Sequence, residues 1–388
     1  MSALGYRPDF ASLAVQSRDA RVPAAGLQFS AAASASGPGV YLGELSSEKQ
    51  IRELEARGVS LQGTVAVFYS IYPYLVLPFL IDRGISAVVV ISDAPGSLIS
   101  RYTAQLYPPA APPDFVGRPL SIPGVIVSSV AARVLLLELM FQGTELLVEH
   151  GAEYPHVQTA NVVGLVPGRI PDERVIVGAH YDTQLECPGA CDNASGVAAL
   201  VEIAAASARG PKPLRTIVFA AFADEEHGCV GSTAYCVAHQ NELRSTLAMV
   251  NLDALGWARP GSRALYSDPA IRDLAFATAE RAGWTPEEEL EASLFPGSDY
   301  NPFIDAGVPA AFYWRYPPGH PYYHTAGDVP ELLDIAVVAE TATVAAHLVH
   351  RLANDDSLRL GRSRPSRRWL DLRPEASAEL STEKAVVT

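Results

Sequence analysis

Seven acidic or imidazole side chains between residues 180 and 324 are of the types that bind metal ions. His180 and Asp182 stand in GAHYD, where an apolar run from Arg174 to Gly178 ends, and Asp192 follows in CDNAS after a Pro-Gly loop. Glu225 and Glu226 close TIVFAAFADEE, Asp253 lies in NLDALG, and His324 lies in YYHTAGD. Each sits at the end of a candidate strand or in the loop beyond it, the rim at which open α/β sheets place their sites. Two imidazoles and three carboxylates, with a spare glutamate, form a ligand set suited to a pair of zinc ions sharing one carboxylate.

Taken singly, each residue has an ordinary explanation. A histidine after a strand can be a packed core or surface residue. Asp192 can simply cap the alanine-rich helix that starts near Ser195. Glu225 and Glu226 can form a solvated turn, and Asp253 can accept backbone amides. Together they are harder to explain, because an Ala/Val-rich sheet would be delivering five ionisable groups to one edge, and unpaired burial is costly for each. Metal removes that penalty.

The elements that must position these groups alternate. From Ala160 the text reads NVVGLVPG, RVIVGAHYD, a helix to about Arg209, TIVFAAFADEE, a helix from about Gly231, and AMVNLDALG. A helix over Pro269–Ala282, a strand at PAAFYWRY and a long closing helix over Val329–Ala353 follow. This pattern predicts an α/β fold with a mostly parallel mixed sheet covered by helices on both faces. The earlier block is different. Its first 24 residues carry no strong period and read as an extended lead, and Leu27–Glu44 is rich in Ala, Ser and Gly. SSEKQIRELEARG then gives a capped amphipathic helix. Thr64–Ser70 and Ser86–Ser92 read as strands flanking a helix at Leu75–Arg83. Beyond a Pro-rich loop at Tyr107–Pro119 come a strand at Gly124–Ser128, a helix at Val130–Phe141 and a strand at Glu145–Glu149. No convincing cluster of catalytic groups lies there, so the block reads as a module that shapes something else. The tail from Asp356 is polar and aperiodic, and disorder is expected except around Trp369.

At 388 residues and 48% hydrophobic the chain can bury a large core in two domains. Its net charge of −14 argues against nucleic acid or anionic membrane as the main partner. No run of 18 apolar residues and no basic start with a long apolar segment is visible, so no span or signal peptide is expected. The chain as written is expected in the cytoplasm, or outside the cell if its start is truncated. Cys187 and Cys191 bracket Pro188 and Gly189, compatible with reduced small residues in a tight loop or with a local disulfide in an oxidising compartment. Oligomeric state is left open.

The order GAHYD, CDNASG, ADEEHGCVGS, NLDALG and YYHTAGD resembles the co-catalytic zinc peptidase family that includes bacterial leucyl aminopeptidases, aminopeptidase Y and glutamate carboxypeptidase II. The resemblance covers roughly Asn161–Ala353. It implies two zinc ions per chain on a zinc-peptidase, phosphorylase/hydrolase-like fold. Asp192 would bridge the metals, His180 and Asp253 would complete one site, and Glu226 and His324 the other. Glu225 matches the general base, working with a hydroxide that bridges the metals, and Asp182 matches the acid that orients the first histidine. A cis peptide at Asp192–Asn193 is implied as well. The block from about Leu27 to Val157 is similar to the smaller, β-rich α/β protease-associated domain that many of these enzymes carry. The expected division is therefore a lead over 1–26 packing on the peptidase domain, a protease-associated domain over 27–157, a catalytic domain over 158–355 and a polar tail over 356–388.

The implied reaction is hydrolysis of a peptide or small amide, foremost by an aminopeptidase. Tyr323 resembles a family tyrosine that donates to the oxyanion, and it can equally be an aromatic packing beside a ligand. Asp299 in GSDYNPF is a candidate for holding a substrate ammonium. Arg315 in YWRYPPGHP is a candidate for a substrate carboxylate, which would favour a carboxypeptidase or dipeptidase, or is a surface residue. A small-molecule amidohydrolase, a one-zinc glutaminyl cyclase and a metal-free binding protein are the alternatives.

Overall fold

The computed structural model describes residues 2–16, 20–104, 119–139, 144–257, 263–291, 297–315 and 322–365. The N-terminal part carries β1 (Ser2–Leu4), β2 (Arg7–Val15), β3 (Ala20–Val22), β4 (Ala24–Gly26), β5 (Ala33–Glu44), α1 (Glu48–Ala56) and β6 (Val65–Tyr69). It continues with α2 (Leu77–Ile81), β7 (Ala87–Ile91), β8 (Gly124–Val127), α3 (Ser129–Leu139), β9 (Glu145–Glu153) and β10 (His156–Gln158). The remainder opens with β11 (Val162–Val166), β12 (Ile170–His180), α4 (Gly196–Arg209), β13 (Arg215–Phe222), α5 (Val230–Ala238), α6 (Gln240–Leu243) and β14 (Thr246–Asp253). It ends with β15 (Ala264–Ser267), α7 (Arg272–Arg281), β16 (Glu288–Glu291), α8 (Tyr300–Asp305), β17 (Ala310–Trp314) and α9 (Ile335–Asn354).

Two large sheets result. The first runs β3-β2-β9-β5-β6-β7-β8-β4, with β5 to β8 parallel. Its central strands VAVFY, AVVVI and GVIV are almost wholly buried, as expected of parallel strands covered on both faces. The second runs β11-β13-β12-β14-β17-β15-β16 and is parallel from β13 to β17, with β11 antiparallel to β13, β15 antiparallel to β17, and β16 parallel to β15. This is the mostly parallel mixed sheet the sequence predicts.

The second sheet sorts its side chains by the two-residue period of a strand. Val175, Val177 and Ala179 of β12 join the core under α4, α7 and α9, while Ile176 joins the opposite core with Phe222, Tyr300 and Phe303. The register then aligns the strand ends. His180 is level with Phe222, Gly178 with Asn251, and Asp253 with Trp314. The candidate ligands therefore leave the sheet together at one edge.

Residues 2–26 contribute strands: β2 pairs with β9 and β3, β4 pairs with β8, and β1 pairs with β10 in a separate two-stranded sheet, while Leu4 and Tyr6 cluster with Val230 of α5. The β9 partner of β2 lies some 140 residues on, as Arg7 opposite Glu153 illustrates, so no local period announces it. The same pairing prolongs β9 to Glu153. At the other end, α9 begins at Ile335 rather than Val329. Pro330–Leu332 forms a separate 3-10 turn, and the Asp334 carboxylate accepts the Ala336 amide at 2.9 Å as a cap. The polar tail is anchored at first. Leu358 and Leu360 pack on the core, and Arg362 donates to the carbonyls of Thr246 and Leu243 at 2.8 and 3.0 Å. Trp369, and the Pro-rich loop between residues 105 and 118, lie outside the described residues.

Candidate metal centre

Backbone design brings the ligands together. After β12 the chain loops through Gly189, in the left-handed region at φ 64°, where an added Cβ would lie 2.1 Å from Thr183. It then enters the Asp192–Asn193 peptide, which is cis as the resemblance implies. Gly196 opens α4 so close to β14 that a Cβ would sit 2.2 Å from Asn193 Oδ1 and 2.5 Å from the Leu252 carbonyl. Asn193 fastens this approach by accepting the Gly196 and Ala254 amides and donating to Leu252 O.

The donors fall into two groups sharing Asp192: His180, Asp192 and Asp253, and Asp192, Glu226 and His324. His180 Nε2 lies 3.1 Å from Asp192 Oδ1 and 3.4 Å from Asp253 Oδ1. His324 Nε2 lies 3.4 Å from Asp192 Oδ2 and 3.0 Å from Glu226 Oε2. Zinc bonds of about 2.0–2.2 Å at tetrahedral angles separate donors by about 3.3–3.6 Å, close to these spacings. His324 Nε2 and Glu226 Oε1 are buried without a hydrogen-bond partner. Burial opposes charge on both histidines, yet the surrounding carboxylates outweigh it, lifting the His324 pKa to about 10 and the His180 pKa well above its ordinary value. A pocket this rich in buried acid calls for positive charge, and the N/O donor set fits a zinc-type cation.

Around the donors a ring of polar groups fixes their orientation. His180 Nδ1 meets the Asp182 carbonyl at 3.1 Å, with the Asp182 carboxylate 3.7 Å away. That carboxylate accepts the Glu225 and Glu226 amides at 3.1 and 3.2 Å, so Asp182 orients the Glu-Glu turn as much as the histidine. Asp253 Oδ2 accepts the Ser298 hydroxyl at 2.7 Å, and Ser298 in turn accepts from Asn251. Three residues that sequence reasoning passed over belong here. Asp328 accepts the Cys191 and Asp192 amides with its two carboxylate oxygens, at 2.9 and 3.0 Å, and the Ala190 amide with its carbonyl. Gln184 donates to Glu226 Oε2 at 3.0 Å, and Gln28, from the segment between β4 and β5, donates to Gln184. The HTAGD text was the only available signal for Asp328, and an isolated glutamine carries none.

His324 adopts φ 55°, a costly region for a residue with a Cβ. It is held there from both sides, since its carbonyl accepts the Arg101 amide at 2.7 Å and its Nδ1 meets the Arg101 carbonyl at 3.2 Å. Among the described residues, the other non-glycine residues at positive φ are Phe29, Glu186, Asp224, Cys229 and Ala254, each within three positions of Gln28, Gln184 or a candidate ligand.

A cavity opens over the donors. Asp192, Glu225, Glu226, Asp253 and His324 reach it from the second sheet, beside Phe312, Trp314 and Tyr323. Tyr72, Tyr74, Leu75 and Tyr102 of the first part close its other side. Glu225 lies in the cavity but in neither donor group. Tyr323 stacks on His324 with ring centroids 3.5 Å apart. Two candidates are not brought to the cavity. Asp299 has no exposed surface and does not line it, because GSDYNPF turns into α8 and carries the side chain into the interior; burial raises its pKa to about 7. Arg315 turns onto α9, where it donates to Glu340 at 2.6 Å. Cys187 and Cys191 are free thiols.

The model of Peptidase family M28 matches residues 161–349, which begin just before β11, end within α9 and hold all five donors. These residues belong to Peptidase family M28. Over 111 residues the chain is 39% identical to a probable zinc metalloprotease of Pyrenophora tritici-repentis (strain Pt-1C-BFP), covering 26% of this chain and 25% of that protein. It is 32% identical over 182 residues to aminopeptidase YwaD of Bacillus subtilis (strain 168), covering 43% of this chain and 39% of that protein. The chain thus spans a quarter to two-fifths of the length of these relatives. The structure of a peptidase M28 precursor from Shewanella amazonensis SB2B superposes with a TM-score of 0.74 at 21% identity, over 94% of this chain and 85% of that one. The shared fold therefore extends beyond the M28 segment into the first sheet.

Proposed function

We propose that the chain is an aminopeptidase with two zinc ions, releasing N-terminal residues from peptides. The observation that carries this reading is the divided Asp192 carboxylate, one oxygen turned to His180 and the other to His324, as one carboxylate serving two cations must be. His180 and Asp253 would complete one site, and Glu226 and His324 the other. Zinc bound there supplies Lewis-acid polarisation of the scissile carbonyl and lowers the pKa of water.

The remaining work falls to protein groups. Glu225 is free of both donor groups, so its carboxylate can take a proton from the attacking water and hand it to the leaving amine. Desolvation, and after it the charges of Asp299, Asp253 and Glu226, raise its pKa well above the usual range despite His180. Cations among the ligands act in the opposite sense. The Tyr323 hydroxyl is the candidate donor to the developing oxyanion.

The described cavity lining holds no Lys or Arg to pair a free substrate carboxylate, which favours an amino- over a carboxypeptidase; of its acids, Asp192, Glu226 and Asp253 would be offset by the zinc ions and Glu225 stays outside both donor groups. Arg315 is engaged elsewhere. The apolar walls of Tyr74, Leu75, Phe312 and Trp314 suit an apolar side chain. Zinc analysis with a panel of free-amine, N-blocked and free-carboxylate substrates tests the reading. Two zinc ions per chain and chelator-sensitive release from free-amine substrates alone are expected. One zinc with pyroglutamate formation would favour a cyclase, and activity confined to free-carboxylate substrates a carboxypeptidase. No zinc uptake and no activity after zinc return would refute the enzyme reading.

A further inference from the structure

The two halves of the metal centre are fixed by different parts of the chain. The His180 and Asp253 half is oriented by residues of the second sheet and its loops, namely Asp182 for the histidine and Ser298 with Asn251 for the aspartate. The Glu226 and His324 half is oriented largely from the first part. Gln28, 2% exposed, donates its side-chain amide to Gln184 Oε1; Gln184, also 2% exposed, donates to the Glu226 carboxylate at 3.0 Å and to its carbonyl at 3.3 Å. The far side of the Gln28 amide is fixed too, its oxygen lying 3.3 Å from His227 Nε2. Its backbone is clamped by Tyr102 and Ala104, next to Arg101, whose backbone holds His324. One short stretch of the first part, Arg101 to Ala104 with Gln28 across from it, thus carries the supports of both non-shared ligands of one metal site and neither of the other.

We infer that Gln28 is a positioning residue for the Glu226 and His324 metal site, acting through Gln184 and leaving the His180 and Asp253 site untouched. This inference rests on the two-zinc reading above. A buried amide chain with each oxygen and nitrogen committed orients the carboxylate by hydrogen bonds that only one rotamer of each glutamine satisfies. Replacing Gln28 by leucine keeps the volume and removes the last fixed link. Gln184 then regains freedom to turn, and with it Glu226.

The test is zinc titration of the metal-free full-length chain by calorimetry, for wild type, Gln28→Leu, Gln184→Leu and the double variant, with the thermal midpoint of each metal-free chain measured alongside. Support polar groups of this kind typically change metal affinity by about 10- to 100-fold. Expected for Gln28→Leu is a loss of that size at one of two sites, the other unchanged, with a modest fall in the metal-free midpoint because the buried Gln184 oxygen loses its donor. Because Gln28 acts through Gln184, the double variant should bind zinc as Gln184→Leu does, a non-additivity that a general loss of packing would not give. An equal loss at both sites, no loss at either, or additive effects would overturn the inference. If wild type takes up a single zinc, the two-zinc reading fails by itself; the inference is then supported only if Gln28→Leu weakens that ion, and unchanged uptake overturns it.

Discussion

Glu225→Gln separates proton transfer from metal binding. The amide is nearly the same shape as the acid, Glu225 belongs to neither donor group, and the bond that fixes its backbone, from its amide to Asp182 at 3.1 Å, does not involve the side chain. Zinc occupancy should therefore be unchanged. A positioned proton carrier contributes about 10²–10⁴-fold to rate, equivalent to about 3–5 kcal/mol of transition-state stabilisation at 1.36 kcal/mol per decade. The variant should lose that much of kcat towards leucine p-nitroanilide, with KM changed little, because the lost interaction belongs to the transition state. A second signature appears in the metal-free chain. The Glu225 pKa is raised on folding, so its ionisation disfavours the folded state, and that penalty grows as pH rises through the unfolded value toward the folded one. Metal-free Glu225→Gln should accordingly resist urea better than metal-free wild type at pH 8, with the advantage shrinking toward pH 4. Less than a tenfold loss of kcat at full zinc occupancy, or loss of one zinc, would refute the assignment.

Three further outcomes are expected. Tyr74→Ala removes apolar wall from the cavity and should lower kcat/KM for leucyl and phenylalanyl substrates by about 10- to 200-fold relative to alanyl ones, the range for small changes in an apolar pocket, in steady-state assays with zinc content checked. Arg315→Ala removes a guanidinium that faces Glu340 rather than the cavity, so KM for dipeptides with a free carboxylate should stay within about twofold of wild type; a large rise would return Arg315 to substrate binding. Asp328→Ala leaves the buried Cys191 and Asp192 amides without acceptors, at about 1–3 kcal/mol each, and should lower the stability measured by urea unfolding by about 2 kcal/mol or more.

The donors were legible because chemistry at a sheet edge leaves a linear trace: His180, Asp192, Glu226, Asp253 and His324 each end a recognisable apolar run or motif. The second sheet was legible for the same reason, since VIVGA, IVFAAF and AMVNL are buried on both faces and read as continuous apolar strands. The first part yielded its central strands and its capped α1, but not β1 to β4, which, apart from the β2–β3 pair, find their partners far along the chain. Where Asp299 and Arg315 lie was not legible, because an acid near a site motif looks the same in sequence whether it faces the cavity or lies under it, and one residue past the end of β17 decides whether a side chain turns inward or onto α9. Gln28 and Gln184 had no trace at all, being neutral amides whose function comes only from the contact between them.

The span of the site along the chain has a consequence for how the protein is made. Gln28 and Gln184 are separated by 156 positions, and Arg101 and His324 by 223. A nascent chain emerges from its N-terminus at about 5–20 residues per second, so the first sheet and the Arg101 clamp can be complete some ten seconds or more before His324 exists to meet them. Until then Asp192 has one imidazole partner instead of two, and the acid-rich pocket has no second cation site to offer. On the two-zinc reading, the site completed by Glu226 and His324 would therefore form only after residue 324 has been made.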